Sequence, residues 1–140
     1  MLDQKLIEKM IETAIEMTKM SYSPYSNFKV GAALLSKSGK VYTGCNIENS
    51  AFSPTNCAER TAFFKAVSEG KREFLKIAVV GGKNEEYFPA NYCPPCGVCR
   101  QVMKEFCAAE FEIIIAIDSD DCKIMTLSEL LPESFDKREV

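Results

Sequence analysis

The chain has 140 residues, of which 46% are hydrophobic and 26% are charged, and its formal net charge is -3. This length fits one domain around one core, so we expect a single domain over residues 1–140. The charge gives no basic field with which to grip a phosphate backbone, which argues against a nucleic-acid substrate.

The chain also lacks the patterns of export and membrane insertion. Residues 1–13 are charged throughout, without the apolar run of a signal peptide. No stretch approaches the ~20 apolar residues of a membrane span. The seven cysteines are odd in number and show no regular disulfide spacing. We therefore expect a cytoplasmic protein that makes no membrane contact and uses its cysteines as metal ligands or free thiols.

Hydrophobic periodicity and turn residues predict alternating helices and strands. Residues 111–117 are almost continuously apolar, as in a central strand that is covered on both faces. This order predicts an α/β fold, a three-layer α/β/α sandwich on a mixed, roughly five-stranded sheet. The predicted helices cover 3–20, with Asp3 as N-cap, 57–69, 96–106 and a short segment after a capping box at 126–129; the predicted strands cover 28–36, 41–47, 74–80, 111–117 and an edge strand at 123–125.

Two short motifs predict a metal site: CAER at 57–60 and PCGVCRQ at 95–101. Catalytic zinc takes three protein ligands and keeps a fourth position open. Cys57, Cys96 and Cys99 would be those ligands, and Cys96 and Cys99 share one helix face at i and i+3. Glu59 follows a ligand by two residues, so it would stand beside the open position and transfer protons as a general acid–base. The motifs predict one zinc ion per subunit.

The predicted helix starts would support such a site electrostatically. Three thiolates on Zn²⁺ leave a net charge of -1, and the positive end of a helix dipole offsets that charge. Arg60 and Arg100 follow the ligands closely and could donate hydrogen bonds to the sulfur atoms. Of the two, we favour Arg60.

Two alternatives remain open at this point. Asn56 and Glu59 have capping-box spacing, so Glu59 could simply cap a helix. Cys93 would extend the second motif to C-x-x-C-x-x-C, and a closed site with four thiolates would be structural. Cys93 precedes Pro94, however, which favours an extended conformation off the helix. The other cysteines, Cys45, Cys107 and Cys122, are expected to be small buried hydrophobic residues.

Four motifs together resemble the small homotetrameric cytidine deaminases: YSNFKVGAA at 25–33, GCNIEN at 44–49, CAERT at 57–61 and ELLPESF at 129–135. The resemblance extends over about residues 22 to 135. It implies hydrolytic, zinc-dependent deamination of cytidine and deoxycytidine to uridine and deoxyuridine, releasing ammonia. It also implies a homotetramer with shared active sites, in which Tyr25 and Phe135 reach into a neighbouring subunit's pocket.

The resemblance further implies how a nucleoside would be held. Asn46 and Glu48 would bind the ribose hydroxyls, and an amide and a carboxylate suit that task. Phe28 would pack against the pyrimidine, and Ala58 would also contribute to substrate binding. The chain departs from the family pattern at Lys29, at Phe52 and in the loop 83–93. Alternatives are a related deaminase of blasticidin S or cytidylate, and a structural zinc module without catalysis.

Overall fold

The computed structural model describes residues 2–83 and 91–137, so most of the loop 83–93 and the end of the charged tail lie outside the described residues. Within these ranges helices and strands alternate as the sequence predicts. The elements are α1 (Leu2–Thr18), β1 (Lys29–Ser36), β2 (Val41–Cys45), α2 (Ala58–Ser68), β3 (Phe74–Gly82), α3 (Gly97–Phe106), β4 (Glu112–Asp118), β5 (Asp121–Thr126) and α4 (Leu127–Leu130).

The five strands form one mixed sheet in the order β2-β1-β3-β4-β5. Strands β3 and β4 pair in parallel, and every other neighbouring pair is antiparallel. The middle strand is therefore β3, and the prediction that 111–117 forms the central strand is wrong in position. Strand β4 is nevertheless covered on both faces, which explains its continuous apolar sequence.

Helices cover both faces of this sheet, and each face has its own apolar core. One core packs α1 against alternate residues of β1, β3 and β4, including Ile114. The other packs α2 and α3 against the opposite face, with Phe63 and Met103 fully buried. The predicted three-layer α/β/α sandwich is confirmed, and the two motif-bearing helices lie together on one face.

Two glycines allow the helices to approach the sheet closely. A Cβ atom on Gly31 would lie 1.9 Å from the carbonyl oxygen of Ala14 in α1. A Cβ atom on Gly44 would lie 2.2 Å from the carbonyl oxygen of Ala58, the first residue of α2. Only a residue without a side chain fits at either contact. Gly44 thus lets the start of α2 lie directly against β2.

The differences in element bounds are small. Helix α1 ends at Thr18, and Asp3 lies inside its first turn rather than at the N-cap. Strand β2 ends at Cys45, two residues before the predicted end, after which Ile47 makes only isolated bridges. The predicted capping box at Thr126 is confirmed, with both of its hydrogen bonds present. Among residues 2–83 and 91–137, we find no helix with the length and apolar character to cross a membrane.

Candidate metal centre and nucleoside pocket

The three motif cysteines meet at the starts of α2 and α3. Cys57 is the N-cap residue of α2, and Cys96 is the N-cap residue of α3. Cys99 lies in the first turn of α3, and its backbone N–H donates to Cys96 Sγ at 3.5 Å. The unpaired N–H groups and positive dipole ends of both helices therefore face one sulfur cluster, which suits negatively charged ligands.

The spacing of the sulfur atoms fits a tetrahedral zinc ion. All three Sγ atoms lie within 4.8 Å of one another, and those of Cys57 and Cys96 are 3.7 Å apart. Zinc with Zn–S bonds of about 2.3 Å separates two sulfur ligands by about 3.8 Å. Of the residues that the structure describes, no fourth candidate ligand belongs to this cluster, and Cys93 lies outside it. The arrangement favours an open site over a closed one with four thiolates.

Arg60 lies beside the cluster and affects its charge. Its Nη2 donates to Cys57 Sγ at 3.3 Å. The pKa of the Cys57 thiol is lowered to about 5, chiefly by the hydrogen bond from Cys99 and further by Arg60, against the opposing effect of burial. The shared hydrogen bond and burial raise the pKa of Cys99. Cys57 is therefore the first of the pair to become a thiolate, the form that binds metal.

Glu59 is a buried carboxyl group next to the cluster, with only 4% of its surface exposed. Desolvation by burial raises its pKa to about 7, and the nearby charge of Cys57 raises it as well. It lines a cavity of about 220 Å³ together with Cys57 and Cys96. A carboxyl group with this pKa can both take up and release a proton near neutral pH.

The capping-box interpretation of Glu59 is wrong. The N-cap position of α2 is Cys57, one residue later than that interpretation requires, and it makes no side-chain capping bond. Asn56 instead donates from Nδ2 to Thr61 Oγ1 at 3.1 Å. The side chain of Glu59 therefore does not pair with an Asn56 cap.

Asn46 and Ala58 line the same cavity as Glu59. Asn46 Oδ1 accepts hydrogen bonds from Ser21 Oγ at 2.5 Å and from Val30 N at 2.9 Å, while its Nδ2 donates to the Phe28 carbonyl at 2.8 Å. Both lone pairs of the oxygen are occupied, so one N–H of the amide is left for a ligand. Asn46 can therefore donate to a hydroxyl group but has no free acceptor.

Glu48 holds the loop that carries Tyr25. Its Oε1 accepts from the backbone N–H groups of Tyr25, at 2.9 Å, and Ser26, at 3.1 Å, and its Oε2 accepts from the Ser26 hydroxyl. Although partial desolvation raises the pKa of Glu48, these hydrogen bonds outweigh it and lower that pKa. Glu48 and Tyr25 line a second cavity of about 260 Å³, which shares Thr55 with the first.

The remaining aromatic residues of the predicted pocket lie outside the cavity of Glu59. Phe28 lines a third cavity and is 36% exposed, and Phe135 is 57% exposed at the C-terminal end. Phe28 and Cys93 both pack beside Gly81, where a Cβ atom would lie 2.7 Å from Cys93 Sγ. Cys93 also lines the cavity of Glu59. Burial raises the pKa of its thiol to about 12.

Several contributors were missed by the sequence analysis. Thr55 joins the two cavities, and Val30 and Pro94 form part of the inner wall. Arg100 was considered as a donor to sulfur, but its contacts are with the carbonyl oxygens of Pro95 and Leu130. Of these residues, only Pro94 had a signal in the sequence, because it directly precedes the predicted ligand motif at 95–101.

Comparison with known families agrees with this geometry. The model of the cytidine and deoxycytidylate deaminase zinc-binding region matches residues 4–115, well over half of the chain. This chain belongs to that family. The match includes all three cysteines of the cluster, Glu59 and Arg60.

Full-length relatives and solved structures of the family are also similar. The chain is 47% identical over 134 residues to a cytidine deaminase of Sporosarcina psychrophila, covering 96% of this chain and 94% of the relative. A cytidine deaminase of Halalkalibacterium halodurans is 48% identical over 128 residues, covering 91% and 92%. The crystal structure of the Burkholderia pseudomallei cytidine deaminase aligns with a TM-score of 0.82 and 43% identity, covering 91% of this chain and 97% of that one.

Proposed function

We propose that this protein is a zinc-dependent cytidine deaminase, which hydrolyses cytidine and deoxycytidine to uridine and deoxyuridine and releases ammonia in pyrimidine salvage. One observation carries the proposal. Three thiols with the spacing of zinc ligands form one cluster, and two of them, those of Cys57 and Cys96, line the same cavity as the buried carboxyl group of Glu59. Membership of the family, whose relatives are named cytidine deaminases, supports the same function.

In this proposal Cys57, Cys96 and Cys99 would hold one zinc ion per subunit. Zinc bound there would supply a Lewis acid that activates water for attack on C4 of the pyrimidine. The hydrogen bond from Arg60 and the two helix N-termini would offset the excess negative charge of three thiolates.

Glu59 would carry the protons of the reaction. Its carboxylate would take a proton from the attacking water and deliver it to N3 of the ring; it would then take the remaining proton of the hydroxyl group added at C4 and pass it to the departing amine, which leaves as ammonia. Burial supports both steps, because it keeps the pKa of Glu59 near neutrality. The same burial excludes bulk water from the proton path.

The polar residues of the two cavities favour an uncharged nucleoside. Asn46 has an N–H free to donate to a sugar hydroxyl, and the Glu48 carboxylate retains acceptor capacity after its three hydrogen bonds. No lysine or arginine lines either cavity within the described ranges. A nucleotide phosphate would meet Glu48 without a cation to neutralise it, so cytidine fits better than cytidylate.

We also propose that the protein acts as a homotetramer whose subunits complete one another's pockets. Tyr25 is 55% exposed and Phe135 is 57% exposed, although both lie in segments joined to the site by hydrogen bonds. The ring of Tyr25 also lines the cavity next to that of Glu59, so it is available to pack against a neighbouring subunit. We take residues 1–140 as one cytoplasmic domain that binds neither membrane nor nucleic acid.

The decisive experiment measures activity and metal together. Purified protein should lower the ultraviolet absorbance of cytidine as uridine forms, and elemental analysis should find one zinc per chain. Cytidylate, cytosine and blasticidin S serve as comparison substrates. Faster turnover of cytidylate than of cytidine would mean that the substrate is a nucleotide rather than a nucleoside. Bound zinc without turnover of any of the four substrates would favour a structural zinc module.

A further inference from the structure

Arg100 connects two parts of the chain that are far apart in sequence. It lies one residue after the ligand Cys99 in α3. Its Nε donates to the Pro95 carbonyl at 2.8 Å, and its Nη1 donates to the Leu130 carbonyl at 2.7 Å. One planar guanidinium group thus binds the backbone before α3 and the backbone at the end of α4.

The first of these carbonyls belongs to the residue before a predicted zinc ligand. Pro95 is fully buried and directly precedes Cys96. Cys96 is an exposed cysteine, whereas Cys99 is buried and Cys57 is partly buried. Packing therefore holds Cys96 least of the three ligands, and its position depends most on the backbone that precedes it.

The second carbonyl begins the segment that carries Phe135. We call residues 130–136 the C-terminal segment. Helix α3 holds it at two further points: Gln101 Nε2 donates to the Phe135 carbonyl at 3.2 Å, and Lys104 Nζ lies 4.0 Å from Asp136 Oδ2. Helix α3 begins after Cys96 and contains Cys99. Its consecutive turns thus hold the C-terminal segment, which carries Phe135, an aromatic residue predicted to contact the substrate.

We propose that Arg100 is a positioning residue that fixes Cys96 for metal binding and, through the same side chain, anchors the C-terminal segment. This inference rests on the proposed zinc site. Groups that orient metal ligands typically change metal affinity by about 10–100-fold when they are removed. Lysine cannot replace arginine in this role, because one ammonium group lacks the planar fork that reaches two carbonyls in different directions.

Zinc retention tests the first half of the proposal. Zinc-loaded protein is mixed with excess chromogenic chelator well below the melting temperature, and the rate of zinc loss is followed. Arg100→Gln and Arg100→Lys should each lose zinc at least about tenfold faster than wild type. Ile114→Val is the control for stability, because Ile114 is buried in the core on the α1 side and contacts no ligand. It should release zinc at the wild-type rate.

Hydrogen exchange over residues 130–136, measured by mass spectrometry, tests the second half. Arg100→Gln should speed exchange there as well as zinc loss. Gln101→Leu should speed exchange in the C-terminal segment but leave zinc retention unchanged, since Gln101 makes no contact with Pro95 among the described hydrogen bonds. Together the two variants distinguish the effect of the Arg100 contact with Pro95 on zinc retention from the effect of helix α3 on the C-terminal segment.

The outcomes distinguish this inference from the proposed function. Wild-type zinc retention in Arg100→Gln, full rescue by Arg100→Lys, or equal acceleration in Ile114→Val would each overturn the positioning role and leave the zinc site intact. Unchanged exchange over the C-terminal segment in Arg100→Gln would overturn the anchoring role. A wild-type protein that binds no zinc would overturn the proposed function itself, and this inference with it.

Discussion

Cys57, Glu59, Cys96 and Cys99, which we call the metal corner, differ from the exposed aromatic residues in how they are held in place. One chain brings all four together at two adjacent helix starts, with Glu59 and Cys99 almost completely buried. Four aromatic residues are left at the surface instead: Tyr25 at 55%, Phe28 at 36% and Phe52 at 73% exposure, which line cavities, and Phe135 at 57% exposure in the C-terminal segment.

In the proposed mechanism this difference separates the chemistry from substrate recognition. The groups that we propose as catalytic need exact spacing, which a single rigid packing of α2 and α3 against the sheet provides. The aromatic residues need only a partner surface to cover them. Phe52 even adopts a left-handed backbone conformation, with φ of 65°, which is costly for a bulky residue without compensating contacts. We therefore expect the metal corner to function within one chain and the aromatic residues to depend on assembly.

The largest effect should follow loss of a ligand in the metal corner. Cys96→Ala should lose nearly all zinc and all measurable deamination, because two thiolates cannot hold a catalytic zinc ion in the usual three-ligand site. Cys93→Ser is the matched control, since Cys93 lines the same cavity outside the sulfur cluster, and it should keep its zinc. Elemental analysis of both proteins checks this. Equal zinc loss in Cys93→Ser would mean that four thiolates bind the metal.

Replacing Glu59 should give the next largest effect and separate proton transfer from metal binding. Glu59→Gln keeps the size of the side chain but cannot exchange a proton, so kcat should fall by about 10²–10⁴-fold. Zinc content should not change, because Glu59 is not one of the three clustered ligands. Steady-state kinetics and metal analysis of the same preparation give the answer. Turnover near that of wild type would reduce Glu59 to a structural residue.

Phe135→Ala should have a smaller effect and tests the dependence on assembly. If a neighbouring subunit uses this ring, KM for cytidine should rise about tenfold, since an aromatic contact contributes about 0.5–1.5 kcal/mol beyond the area it buries. Zinc should remain at one ion per chain. Sedimentation shows whether the variant and the wild type are tetramers. A fully active wild-type monomer would refute shared pockets and leave the metal corner unaffected.

The same contrast explains what the sequence could predict. Cys96 and Cys99 could be paired as predicted ligands because they lie one helical turn apart, whereas Cys57, which is 39 residues from Cys96, was added because its motif completes a set of three thiolates. The layers of the fold followed from periodicity, but the position of β4 did not, because pairing between strands depends on contacts distant in sequence. For the same reason the hydrogen bond of Arg100 to Leu130, thirty residues away, could not be predicted from the place of Arg100 beside a predicted ligand.

The smallest expected effect concerns Glu48, which lines the same cavity as Tyr25 and Phe52. Its carboxylate already accepts three hydrogen bonds from the loop of Tyr25 and Ser26, so a ribose would share it with that loop. Glu48→Gln replaces one acceptor oxygen by an NH₂ group and should lower kcat/KM for cytidine by several-fold, whereas the slower reaction of free cytosine should change little. The ratio of the two values is the measurement, because damage to the metal corner would lower both equally. Equal losses would assign Glu48 to the loop alone, and a selective loss for cytidine would place the ribose at Glu48.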